Sequence, residues 1–188
     1  MFIRSERLFL RPGWPEDWPE LLARICDEGV VKNLAKAPWP YTADDARNLA
    51  QKPQDPRCPH FFVTLPTSAA PAELIGCVGL ASDCEEVELG YWFGREHWGR
   101  GYATEAARAV LRLARTLGHR RIVAKHFTDN PASGRVLAKL GFRPSGAIRP
   151  SYSLARGSEA PAQVHTVEFG ASSDCDGDGD GFSGMRAA

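Results

Sequence analysis

Ala103 to Leu117 carries apolar residues at 103, 106, 107, 110, 113, 114 and 117. That spacing is one continuous helical stripe, with Arg108, Arg112 and Arg115 on the opposite side. Gly118 follows where a helix C′ glycine belongs. Just before the helix stands HWGR, and before that the apolar run VELGYWF. A chain that passes from strand through a glycine turn into an amphipathic helix must lay that helix on a sheet. The chain has 188 residues, room for one well-packed domain and too little for two.

The other elements follow from the same rules. Ile3 to Leu10 reads as a first strand and Pro15 to Asp27 as a first helix. Thr42 caps a second helix, with Asp45 three residues on as a short capping box, and that helix stops near Pro53. Phe61 to Leu65, Leu74 to Leu80 and Glu86 to Phe93 read as strands. After the helix from Tyr102 to Leu117 come a strand from Arg121 to His126 and a helix from Pro131 to Leu140. Strands from Phe142 to Ile148 and Gln163 to Phe169 close the fold. From Ala171 the composition changes to alternating Asp and Gly, which cannot bury enough apolar surface to order itself. Residues 1–170 are therefore expected to form the domain and 171–188 a disordered tail. Asp174, Asp176, Asp178 and Gly179 imitate a calcium loop, but Met185 stands where the closing Glu belongs.

Lys+Arg and Asp+Glu number 23 each, so no broad electrostatic grip on nucleic acid or an anionic membrane is expected. Charges interrupt the apolar start MFIRSERLFLRP, unlike a signal peptide. No apolar run is long enough to span a bilayer. Five cysteines, odd in number and without a CxxC pair, point to reduced thiols in the cytoplasm.

Gly99 and Gly101 lie at the mouth of this helix. First-turn N–H groups lack intrahelical partners, and glycine lets them approach an anion closely. Arg100 could add a direct phosphate contact. The alternative is a tight turn and nothing more. The segment is neither a P-loop nor the GxGxxG dinucleotide fingerprint.

ELGYWFGREHWGRGYATEAARAVLRLA, followed by NPASGRVLAKLGF, resembles the GNAT superfamily of acetyl-CoA-dependent N-acetyltransferases. Within it, the branch typified by the RimJ and RimL ribosomal-protein acetyltransferases is most similar. The resemblance spans Phe2 to Phe169. It implies an α/β (α+β) fold with a mixed, mostly antiparallel sheet of about six to seven strands and about four helices. It implies acetyl-CoA as co-substrate, no metal, and a primary amine of a small molecule or protein N-terminus as acceptor. Homodimers are common in the family. The pyrophosphate signature falls on Trp98, Gly99, Arg100, Gly101, Tyr102 and Ala103, with Trp98 where Gln or Arg is usual. Backbone amides from Gly99 to Thr104 would hold the pyrophosphate. The strand ending at Phe93 would splay from its neighbour, backbone N–H groups near Phe93 would bind the pantetheine or the acetyl oxygen, and Asn130 would hydrogen-bond the pantetheine. Ser133 would hydrogen-bond the leaving sulfur. In some members a tyrosine serves there; Tyr152 lies downstream but does not align securely.

An amine attacking a thioester must lose a proton. Glu88, the one charged residue in the run VELGYWF, is the candidate base. Its bland alternative is a glutamate paired with a nearby Arg or placed at the strand's wet end. Asn130-Pro131 is also a good helix start in its own right. Glu105 reads as a first-turn carboxylate and His97 as a packing or capping residue; Asp129 and His126 could line the site, with a plain strand-end histidine as the alternative for His126. Trp39-Pro40-Tyr41 is expected on the amine side. No cysteine occupies a matched catalytic position, consistent with direct attack in a ternary complex. A catalytically silent acyl-CoA-binding module and a succinyl-CoA enzyme are the alternatives.

Overall fold

The computed structural model describes residues 1–68, 71–83 and 86–170. The Asp/Gly segment, with its imitation calcium loop, and Cys84, Glu85 and Cys175 lie outside them. The strands are β1 (Ile3–Arg4), β2 (Phe9–Arg11), β3 (His60–Leu65), β4 (Glu73–Asp83), β5 (Glu86–Phe93), β6 (Arg121–Phe127), β7 (Arg143–Ser153) and β8 (Ser158–Glu168). The helices are α1 (Trp18–Ile25), α2 (Glu28–Val31), α3 (Ala43–Ala50), α4 (Tyr102–Thr116) and α5 (Pro131–Lys139). One eight-stranded sheet runs in the order β1-β2-β3-β4-β5-β6-β8-β7, and every neighbouring pair is antiparallel except β5 and β6.

The mixed, mostly antiparallel α/β architecture agrees with the sequence expectation, while the element count is slightly higher. Among the described residues, eight strands replace six to seven and five helices replace four. The first strand is broken: Ser5 to Leu8 turn the chain back, so Ile3 faces Leu10. α2 is the added helix, capped by the Asp27 side chain on the Val30 N–H. β7 and β8 extend toward each other as a long hairpin through residues the sequence left irregular.

Two apolar clusters lie on opposite faces of the sheet. Strand alternation sends Phe61, Val63, Leu89 and Phe93 to the cluster under α4, with Ala106, Val110 and Ala114 from that helix. It sends Phe62, Cys77 and Trp92 to the cluster under α1 and α3, with Leu21, Ile25 and Ala46. Burying a side chain such as Val110 or Leu21 is worth roughly 1.5–3 kcal/mol. The stripe of α4 therefore docks as its periodicity requires. Its far end closes in a Schellman motif: Gly118 has φ +84°, and His119 N–H donates to Ala114 O at 3.1 Å. Thr42 and Asp45 form the expected capping box at α3.

Candidate active site

β5 and β6 meet in parallel at one point only, Glu88 opposite Val123. β5 then runs on from Leu89 to Phe93 paired only with β4. This is the splayed strand expected from the resemblance. The split opens a cavity of about 1100 Å³.

Glu88, Phe93, Trp98, Gly99, Gly101, Tyr102, Ala103, Thr104, Asn130 and Ser133 all line this cavity. Of the predicted catalytic and cofactor-binding residues, Arg100 alone stands off it, exposed, with its carbonyl accepting from Arg7 Nη1 at 3.1 Å. Gly99 and Gly101 hold φ +75° and +81°, in the left-handed region that disfavours any side chain. A Cβ on Gly99 would meet open space, and one on Gly101 only Arg7 Nη2 at 3.5 Å. The turn is thus bare backbone facing the cavity, at the positive end of a 15-residue helix. Trp98 has no polar group to spare for a ligand. Its indole N–H donates to Phe93 O at 2.8 Å, which pins the end of β5 to the turn.

The N-terminal hairpin braces the turn from outside. Glu105 accepts from Ser5 Oγ and Arg7 N at 2.7 Å each, and from Arg7 Nε at 2.8 Å. Burial opposes its ionisation, but these bonds and the Arg7 charge outweigh it and hold its carboxyl below the usual range. The Arg7 guanidinium lies 4.7 Å from the Tyr102 ring centre. Nothing local in the sequence marks Arg7.

Two further groups complete the reacting centre. Glu88 Oε2 is held by Lys125 Nζ at 2.9 Å, so its partner is a lysine from the neighbouring strand, not an arginine. Across the split, Tyr91 lies on the α4 face of β5 and meets Ser133 at the start of α5. Tyr91 Oη and Ser133 Oγ are 2.7 Å apart. Burial pushes the phenol up to about 12, with the Ser133 bond opposing. Tyr91, not Tyr152, is therefore the tyrosine next to Ser133; Tyr152 lines the cavity from β7, half-exposed. The Asn130 side chain accepts from Ser133 N at 3.3 Å, capping α5 as its type predicts.

The remaining candidates separate. Asp129 is gripped by Arg156 through two bonds of 2.9 and 3.0 Å. His97 is buried, its Nε2 3.5 Å from Glu73 Oε1. Tyr41 lines the cavity while Trp39 lies outside it. A roof forms where the loop after α2 is tied to the β7–β8 turn, by Leu154 N to Ala35 O and Ser153 Oγ to Leu34 O, both 3.0 Å.

Residues 7–143 match the family model for the acetyltransferase (GNAT) domain. The chain belongs to the GNAT acetyltransferase family. It is 31% identical over 163 residues to the uncharacterized N-acetyltransferase p20 of Bacillus licheniformis, covering 82% of this chain and 89% of that one. It is 38% identical over 99 residues to the uncharacterized N-acetyltransferase YoaA of Bacillus subtilis (strain 168), covering 50% of this chain and 55% of the relative. A GNAT acetyltransferase from Bacillus anthracis superposes with a TM-score of 0.76 at 25% identity, over 89% of this chain and 98% of that one. This GNAT protein is thus an acetyl-CoA-dependent acetyltransferase.

Proposed function

We propose that this protein transfers the acetyl group of acetyl-CoA to a primary amine by direct attack in a ternary complex. The observation that carries the reading is the single pairing point between β5 and β6. It leaves one opening through the sheet, with bare glycine turn and Ser133–Tyr91 on one side and Glu88 on the other. The amides from Gly99 to Thr104 would hold the pyrophosphate, while Phe93 and Asn130 would orient the pantetheine arm. Acetyl-CoA supplies the activated acyl carbon. Glu88 keeps one carboxylate oxygen clear of Lys125 and takes a proton from the incoming ammonium, directly or through water. Ser133, backed by Tyr91, donates to the departing sulfur. No side chain forms a covalent intermediate.

The finer placement in the ribosomal-protein branch rests on the WGRGYATEA motif. A 63-residue stretch is also 35% identical to the ribosomal-protein-serine acetyltransferase of Escherichia coli (strain K12). Cytoplasmic residence is supported by three free thiols, Cys26, Cys58 and Cys77, among the described residues. Glu88→Gln tests the base. The expected result is unchanged acetyl-CoA affinity and turnover lowered about 10²–10⁴-fold. Unchanged turnover would remove Glu88 from the mechanism. A wild type that binds acetyl-CoA but acetylates no amine would mark a silent acyl-CoA-binding module.

A further inference from the structure

Gly90 sits in the middle of β5, where a glycine weakens a strand. Two structural reasons usually justify one. The first is a left-handed backbone, and Gly90 is not among the positive-φ glycines. The second is a close neighbour. Gly79, directly across on β4, has that reason: a Cβ there would lie 2.6 Å from the Cα and Cβ of His60. Gly90 has no such neighbour, since a Cβ there meets nothing within 4 Å. It is exposed, lines the cavity, and shares a sheet face with Glu88 and Trp92. Ala81 stands opposite Glu88, so the floor beside the base is Gly79, Gly90 and Ala81. The missing side chain keeps a lane open to Glu88.

The charges around that lane have a sign. Asp45 and Glu88 are its acidic groups, and both are engaged: Asp45 by the Thr42 N–H and hydroxyl, Glu88 by Lys125. Lys36, in the roof loop, and Lys52, after α3, also line the cavity, and no described acidic group pairs with either. Lys52 lies near enough to His60 and Cys77 to act on both. Burial and Lys52 together lower His60 to about 4, so the imidazole is uncharged near neutrality and the sign of the lane is set by the lysines. Arg135 and Lys139 also line the cavity, but from α5 on the cofactor side with Ser133, so the unpaired amine-side cations are Lys36 and Lys52. On the amine side, then, positive charge is left over.

Resting on the transferase reading above, we infer that the acceptor is a primary amine that carries an anionic group. It enters over the bare backbone of Gly90, its anion toward Lys36 and Lys52. A diamine or polyamine meets like charge there and is disfavoured.

The test uses three amines that differ only at the far end: propylamine, β-alanine and 1,3-diaminopropane. With the full chain at saturating acetyl-CoA, kcat/KM should be at least tenfold higher for β-alanine than for propylamine, and lowest for the diamine. The double variant K36Q/K52Q should erase that order while leaving propylamine within threefold. G90V should lower kcat/KM for all three at least 100-fold, with acetyl-CoA affinity within twofold and an unchanged or higher melting temperature. Equal use of the three amines, or a G90V enzyme as active as wild type, overturns the inference. A binding measurement keeps it separate from the transferase reading: titration of the CoA complex with N-acetyl-β-alanine and with N-propylacetamide. If no amine is acetylated yet the anionic product binds at least tenfold tighter and G90V abolishes this, the anion-selective lane over Gly90 stands and the transferase reading falls. If neither product is preferred, the inference falls whatever the turnover.

Discussion

The Tyr91–Ser133 pair makes the most demanding prediction. Tyr91 has one phenolic proton and two acceptors, Ser133 Oγ at 2.7 Å and Ser133 O at 3.3 Å. If the proton goes to Oγ, the serine hydroxyl is free to turn its own proton to the leaving sulfur. General acid catalysis is worth about 10²–10⁴-fold and is greatest when the donor's pKa is near the working pH. A phenol pushed up to about 12 sits well above that, so the low end applies. Tyr91→Phe and Ser133→Ala should each lower kcat about 100-fold, or about 2.7 kcal/mol. Because the two act in series, the double variant should also lose only about 100-fold, not 10⁴. Losing one neutral hydrogen bond costs about 1 kcal/mol of stability, which leaves the protein folded. The assay is thiol release at saturating co-substrates, with melting temperatures measured alongside. Multiplying losses would show two independent groups. An unchanged kcat in both single variants would show that the pair only anchors α5.

Two predictions concern the turn and its brace. Gly101→Ala forces a side chain into φ +81° with no clash beyond Arg7 at 3.5 Å, so the cost is backbone strain of about 1–2 kcal/mol. The melting temperature should fall by about 2–8 °C and the Kd for acetyl-CoA should rise about tenfold, read by calorimetry. Glu105 has its carboxyl held below its ordinary value of 4.5, so its contribution to stability is present above that value and lost as pH falls through the lower, folded one. Urea unfolding of wild type and Glu105→Gln should therefore differ at pH 7 and converge as the pH falls through the lowered folded-state value; a gap that persists in strong acid would mean that packing, not charge, holds the brace.

Local rules made half of the site legible. The glycine turn, the stripe of α4 and the Asn130 cap involve residues within one element or turn of each other, whereas the splay of β5 was implied only by the family resemblance. What stayed hidden depends on distant partners. The first strand breaks because Glu105, about 100 residues away, receives Ser5 and the Arg7 backbone. β7 gives little periodic signal because it is the outer strand of the sheet and mostly exposed, so no alternation of burial is imposed on it. α2 has four residues, fewer than two turns, and no stripe can be read over that length. Ser133 could be named from its motif, but its tyrosine is 42 positions upstream on another element.

Glycine shows why the amine side is harder to read than the cofactor side. In the sequence, Gly79 and Gly90 look alike, each inside an apolar strand. The structure gives them opposite purposes. At Gly79 the backbone of β3 occupies the place of a side chain, and the residue serves packing. At Gly90 nothing occupies it, and in a sheet packed on both faces an unfilled place at the centre is a loss of contacts on every side. A cofactor turn declares itself through positive φ and a helix start, which leave marks in residue type. An acceptor lane is an absence, and its mark appears only when the neighbours that might have filled it are placed in space. That is why replacing Gly90 with a larger residue should leave the fold intact and still close the route to Glu88.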